Sequence, residues 1–271
     1  MKQFILRQPP GSEGFVRLTG EDYRYLARVR RLQTGDGFTA VLPDGGSVHL
    51  EVRSVDKTSL CVQCMEAADA SHGGMAQKLP PLPPLYLLQG MPKGSKLDLI
   101  VRQAAEAGVQ SIIPFYSERS QIRPRHQGAG ENDGRNERLR KIIRQARQQS
   151  GSAVNTQVTE ACSFEEALAR WREIRTRAAH PAAVFMHEIA LQETSLHALL
   201  EKPPGALAIA VGPEGGFSGE EAGRFIEDGF APIILGNTIL RTETASIYAI
   251  AAVRTLLLER GTWTALKKLN C

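Results

Sequence analysis

Through the first 65 residues, apolar and polar positions alternate with the two-residue period of half-buried strands. The pattern predicts strands over residues 15–18, 38–42, 47–55 and 59–65, with Gly/Asp turns at 35–37 and 43–46. Thr19, followed by Glu21 and Asp22, predicts the N-cap of a helix over 21–30. Strands at this spacing predict a small β-barrel. Residues 67–84 are rich in Ala, Gly, Ser and Pro, and end in Leu79-Pro80-Pro81-Leu82-Pro83-Pro84. No helix accommodates that run, so it reads as a stiff linker. The expected division is 1–75 for the barrel domain, 76–84 for the linker and 85–271 for the rest.

Beyond the linker the periodicity changes. Residues 85–89 form a continuous apolar run, as expected of a strand buried on both faces. A helix follows over 95–107, with Leu97, Ile100, Val101, Ala104 and Ala105 on one face and Gly108 as its stop. Residues 109–115 read as the next strand, and a Gly/Asn-rich insert at 127–135 leads into a basic helix over 137–150. A strand is expected at 154–158, then a helix over 164–177 capped by Ser163 with Glu166 at the capping-box position. Short apolar strands at 183–186, 206–211 and 232–235 precede a last helix over 243–260. Alternating strands and helices predict an α/β domain with a mostly parallel sheet.

Composition narrows the class. The 271 residues suit two domains, and 42% hydrophobic with 23% charged residues is an ordinary globular balance. The net charge of +4 permits an anionic partner without requiring one. Residues 1–10 contain Lys2, Arg7 and two prolines rather than an apolar leader. No run approaches the ~18 apolar residues of a membrane span. With four cysteines (Cys61, Cys64, Cys162 and Cys271), a disulfide scaffold is excluded and a cytoplasmic location is expected. Cys61 and Cys64 have CxxC spacing, but no second pair follows, and an alternating strand points them to opposite faces. His187-Glu188 is not an HExxH motif, because Leu191 stands where the second histidine belongs; no metal is expected.

Three loops follow apolar strands at their carboxyl ends, where open α/β sheets bind ligands. They are Met186-His187-Glu188, Gly212 through Ser218, and Leu235 through Ala245. The second, Gly212-Pro213-Glu214-Gly215-Gly216-Phe217-Ser218, lets a ligand approach the backbone closely. Ser218 reads as an N-cap with Glu220 and Glu221 in the first turn. Two acids there disfavour a phosphate and favour a neutral or cationic ligand such as S-adenosyl-L-methionine (AdoMet). A plain strand-to-helix turn has the same composition. In the third loop, Arg241 precedes an apolar helix; if buried it needs a partner, and Glu243 is the nearest candidate. A helix N-terminus with a surface salt bridge fits those residues equally.

The second and third loops together closely resemble the RsmE family of SPOUT-class 16S rRNA (uracil-N3) methyltransferases. Further matches come in order: Lys93-Gly94, Ala105-Glu106-Ala107-Gly108-Val109, Ile113-Pro114 and Ser117-Glu118-Arg119-Ser120. Residues 26–36 resemble the PUA-like RNA-binding module of the family. The resemblance implies an AdoMet-binding domain tied in a deep trefoil knot, a homodimer with the site near its interface, and 16S rRNA within the 30S subunit as substrate. It implies AdoMet contacts at Met186, His187, Glu188, Gly212, Glu214, Gly216, Leu235, Gly236, Leu240, Arg241, Thr244 and Ala245. The chain departs from the family at Ala107, where leucine is usual, and at Tyr23 and Tyr25, where histidines are common. It also carries Gln148-Gln149-Ser150-Gly151-Ser152 in place of Glu-Gln-x-x-Arg, so that Ser152 replaces an arginine.

Uracil N3 has an available lone pair only after deprotonation, so catalysis needs a base and a group that stabilises the developing anion. Arg241 is the candidate for the electrostatic role, supported by Glu118 or Glu106. Arg28, Arg30, Arg31, Arg119, Arg123, Arg144 and Arg147 are the candidates for phosphate contacts. Two other readings remain open from sequence: a SPOUT methyltransferase acting on tRNA or a ribose 2′-OH, and a non-catalytic RNA-binding assembly factor.

Overall fold

The computed structural model describes residues 4–11, 13–42, 46–65, 82–122, 129–188, 195–234 and 236–269. It divides into two compact units: Met1–Gln77 with Arg147–Asn155, and Lys78–Ala146 with Thr156–Cys271.

The first unit holds β1 (Phe4–Ile5), β2 (Phe15–Thr19), α1 (Gly20–Tyr23), β3 (Gly37–Val41), β4 (Ser47–Val55) and β5 (Ser59–Met65). Its sheet runs β1-β3-β4-β5-β2; every pair is antiparallel except β1 with β3. The inward side chains of all five strands, with Tyr23 and Leu26, close one core that includes Phe4, Phe38, Leu50 and Leu60. Two local expectations need correction. Thr19 makes no side-chain cap bond, and the helix it precedes changes after Tyr23 into a six-residue π-helix, Arg24–Val29. Such turns mark sequence under strain or function.

The second unit contains β6 (Leu85–Gly90), α2 (Lys96–Glu106), β7 (Ser111–Tyr116), α3 (Ala129–Ser150), β8 (Gln157–Val158), β9 (Cys162–Ser163) and α4 (Phe164–Thr176). After these come β10 (Ala182–Met186), α5 (Leu196–Leu199), β11 (Leu207–Val211), α6 (Gly219–Glu227), β12 (Ala231–Ile233) and α7 (Thr242–Leu269). From Arg147 on, α3 belongs to the first unit. Within the insert expected at 127–135, α3 already begins at Ala129. Leu139, Ile143 and Ala146 anchor that helix in the core. The strand expected at 154–158 shrinks to Gln157–Val158.

All paired strands of this sheet are parallel, in the order β12-β10-β11-β6-β7-β8. Both faces are apolar, as a doubly covered sheet requires. Leu85, Leu87, Val184, Leu207 and Ile209 face α2, α3 and α7. Leu88, Phe115, Phe185, Ala208 and Ala210 face α4 and α6. Because β10 lies between β12 and β11 and runs parallel to both, the carboxyl ends of β12, β10 and β11 stand side by side. Among the described residues no helix is long and apolar enough to cross a membrane.

Candidate functional site

A cavity of about 400 Å³ opens at those three strand ends. This is within the size range of small-molecule sites. Met186, His187 and Glu188 line it from the end of β10, Gly212 through Phe217 from the end of β11, and Ile234, Gly236 through Leu240, Thr242 and Ala245 from the segment joining β12 to α7. Three loops far apart in sequence are thus brought together by strand order. Among the described residues, Glu188 and Glu214 are the only carboxylates that line the cavity, and no lysine or arginine lines it. It is therefore built for a cation or a neutral group, not a phosphate.

Close backbone packing shapes the second loop. A Cβ on Gly90 would lie 2.6 Å from Pro213 Cδ and 2.7 Å from its nitrogen. A Cβ on Gly212 would lie 3.1 Å from the carbonyl carbon of Gly216, and Gly216 itself has φ +67°. A buried polar seam holds this loop to α7. The Thr242 hydroxyl donates to the Gly212 carbonyl at 2.7 Å and accepts from Gln89 Nε2 at 3.0 Å. Ser246 donates to Gln89 Oε1 at 2.6 Å. Gln89, Thr242 and Ser246 are all buried, and each bond removes a desolvation cost.

Ser218 caps α6 in a complete capping box with Glu221. Glu221 does more than cap, since its carboxylate accepts from Ser117 Oγ and from the Glu118 backbone N–H, both at 2.9 Å. The loop after β7 is thereby fastened to the start of α6, and Arg119 donates to the Gly215 carbonyl at 3.3 Å.

Of the expected cofactor contacts, Met186, His187, Glu188, Gly212, Glu214, Gly216, Gly236, Leu240 and Ala245 line the cavity. Leu235 lies outside the described residues. Arg241 and Thr244 are exposed and do not line it. Arg241 is not buried against Glu243; its guanidinium makes no hydrogen bond or ion pair among the described residues, and Glu243 faces Lys96 instead, at 3.6 Å. Of its supporting candidates, Glu118 is exposed on the fastened loop. Glu106 ends α2, whose first residue Lys96 bonds Glu214. At 1.5 Å per residue this leaves Glu106 about 15 Å along the axis from that end, so it is not brought to the cavity.

Among the arginines, Arg28, Arg30, Arg31 and Arg119 are exposed, and Arg30 stacks over the Phe38 ring at 5.5 Å. Arg144 is half-buried, and Arg123 lies outside the described residues. Arg147 is a correction: only 4% exposed, it donates to Asn155 Oδ1 at 2.9 Å and to the Ala153 carbonyl at 3.3 Å. It clamps the turn that carries Ser152 rather than facing solvent. Burial lowers its pKa from the ordinary guanidinium value. No three His, Cys, Asp or Glu side chains cluster among the described residues.

Sequence reasoning missed Lys96, Gln89, Ser246 and the latch role of Glu221. Lys96, Gln89 and Ser246 belong to no recognisable motif, Glu221 is legible only as the capping-box partner of Ser218, and each acts on a residue about a hundred or more positions away.

The family model of the RNA methyltransferase domain matches residues 79–254, and that of the RNA methyltransferase PUA domain matches 18–63. The chain is 30% identical to the ribosomal RNA small subunit methyltransferase E of Bacillus subtilis over 87% of its own length and 88% of that protein. It is 30% identical to the Synechocystis protein of the same name, over 90% and 74%. Its fold is similar to the crystal structure of the Neisseria gonorrhoeae ribosomal RNA small subunit methyltransferase E bound to S-adenosyl methionine, with TM-score 0.73 and 26% identity, over 94% of this chain and 98% of that one.

Proposed function

Because the chain belongs to the ribosomal RNA small subunit methyltransferase E family, we propose that it methylates N3 of one uridine in 16S rRNA with AdoMet as donor. The carrying observation is the cavity at three adjacent strand ends, formed by the loops that resemble the family and acidic in its charged lining. A cationic sulfonium suits that lining, and the Gly212–Gly216 backbone offers N–H and C=O groups to an adenine. AdoMet, when bound, supplies an electrophilic methyl group.

The remaining work falls to the protein. Arg241, exposed at the start of α7 beside the cavity, stabilises the negative charge that uracil acquires as N3 loses its proton. Glu118 is held on the loop that Glu221 fastens, where it supports the substrate. Arg28, Arg30, Arg31 and Arg119 supply phosphate contacts. The reading includes a homodimer, the 30S subunit as the form of substrate, and a trefoil knot made where the chain passes from β12 into α7. What supports the knot is the passage of the chain past β10, to pack α7 against β11 and α2.

The test is methyl transfer from labelled AdoMet to unmodified 30S subunits, followed by nucleoside analysis. The expected product is 3-methyluridine. A ribose-methylated nucleoside, or transfer only to tRNA, would replace the target. AdoMet binding without transfer to any RNA would favour an assembly factor.

A further inference from the structure

We propose that Lys96 is a positioning residue for the cofactor cavity: it fixes the Glu214 carboxylate there and so sets the preference for a cationic over a neutral ligand. The inference rests on the cavity being the AdoMet site. Lys96 Nζ lies 2.7 Å from Glu214 Oε1 and 3.6 Å from Glu243 Oε2. One ammonium therefore ties the second cavity loop to the start of α7. Glu214 also accepts from the Lys93 backbone N–H, at 3.1 and 3.3 Å to its two oxygens. Glu243 Oε2 is buried and has no hydrogen-bond partner among the described residues, which leaves the ammonium as its compensation.

The placement of Lys96 is costly on local grounds. It is the first residue of α2, where the helix dipole disfavours a cation. A residue that breaks a local rule points to a gain elsewhere, and here that gain is the two carboxylates. Burial pushes the Glu214 carboxyl up, but the bonds from Lys96 and the backbone outweigh it and hold the group below its ordinary range. Glu214 therefore remains a carboxylate, on a residue that lines the cavity. Without Lys96 the site would gain negative charge, which favours a cation, but Glu214 and Glu243 would repel each other and Glu214 would lose its fixed direction; the lost direction outweighs the gained charge, and the AdoMet affinity of Lys96→Met reads that balance.

The reaction converts a sulfonium cation into a neutral thioether. AdoMet and S-adenosylhomocysteine thus differ in charge at one atom and serve as a matched pair of probes. By calorimetry on the full chain, Lys96→Met should weaken AdoMet by about tenfold, the loss of one charge-assisted contact, and S-adenosylhomocysteine by less than about threefold. Glu214→Gln should do the same. Lys96→Met added to Glu214→Gln should weaken AdoMet no further, because the lysine acts through that carboxylate. Lys96→Arg, which keeps the charge, should retain most of the discrimination. Equal losses for both ligands in Lys96→Met would mean a general loosening and overturn the proposal, as would an undiminished effect in the Glu214→Gln background. If the unaltered chain failed to bind AdoMet, the cavity reading would fall first and this one with it.

Discussion

Arg241 shows how a motif can be legible while its surroundings are not. Sequence alone places it before an apolar helix and invites a buried pair with Glu243; the structure leaves it exposed and gives Glu243 to Lys96. The reason is distance along the chain: the Lys96–Glu214 bond joins residues 118 apart and the Ser246–Gln89 bond residues 157 apart, beyond any local pattern. By contrast, Met186, Gly212, Glu214 and Gly236 belong to contiguous loops at strand ends, which composition and order reveal. Exposure makes Arg241 a clean probe. Arg241→Ala removes no buried contact, so its melting temperature should match that of the unaltered chain. If the guanidinium stabilises the developing uracil anion, single-turnover methyl transfer should slow about 10²- to 10³-fold. Normal turnover would remove Arg241 from the mechanism.

At the scale of elements, strands whose periodicity is uninterrupted were readable to the residue, as in Ser47–Val55 and Ser59–Met65. So was the capping box of α4, because Ser163 and Glu166 satisfy each other within one turn. The π-helical stretch and the early start of α3 were not, since tertiary packing overrides local propensity in both. Strand order was also hidden, yet it builds the site: β6 ends beside β11, and the backbone of Gly90 touches Pro213. That contact predicts the effect of a single methyl. Gly90→Ala forces its Cβ to within 2.6 Å of Pro213, so something must shift. Overpacking of this kind costs about 1–3 kcal/mol, and the displaced loop should bind AdoMet more weakly. In α6, a Cβ on Gly223 meets nothing within 4 Å. Gly223→Ala should therefore stabilise the helix by roughly 0.5–1 kcal/mol with binding unchanged. Denaturant midpoints and calorimetry on the two variants check both expectations. Equal behaviour would contradict the close-packing account.

Across the whole molecule, the two units carry different chemistry, and the difference can be measured. The second holds the acidic cavity; in the first, Arg28, Arg30 and Arg31 cluster at the end of the π-helical stretch. All three are exposed, and Arg30 is stacked on Phe38, which limits its freedom before any RNA arrives. Arg31 has φ +57°, a conformation most side chains avoid, so the turn that presents these cations carries a local cost. Arginines that contact phosphate release counterions, and each contact steepens the fall of affinity with salt by about 0.7–0.9 in a log–log plot. Replacing Arg28, Arg30 and Arg31 together with alanine should weaken RNA binding and flatten that slope by roughly two to three. The AdoMet dissociation constant should stay the same, because none of the three lines the cavity. A slope unchanged by the triple replacement would mean that these arginines do not touch phosphate. The RNA contact would then have to rest elsewhere, with Arg119 on the fastened loop as the first residue to test, since it already reaches the Gly215 carbonyl.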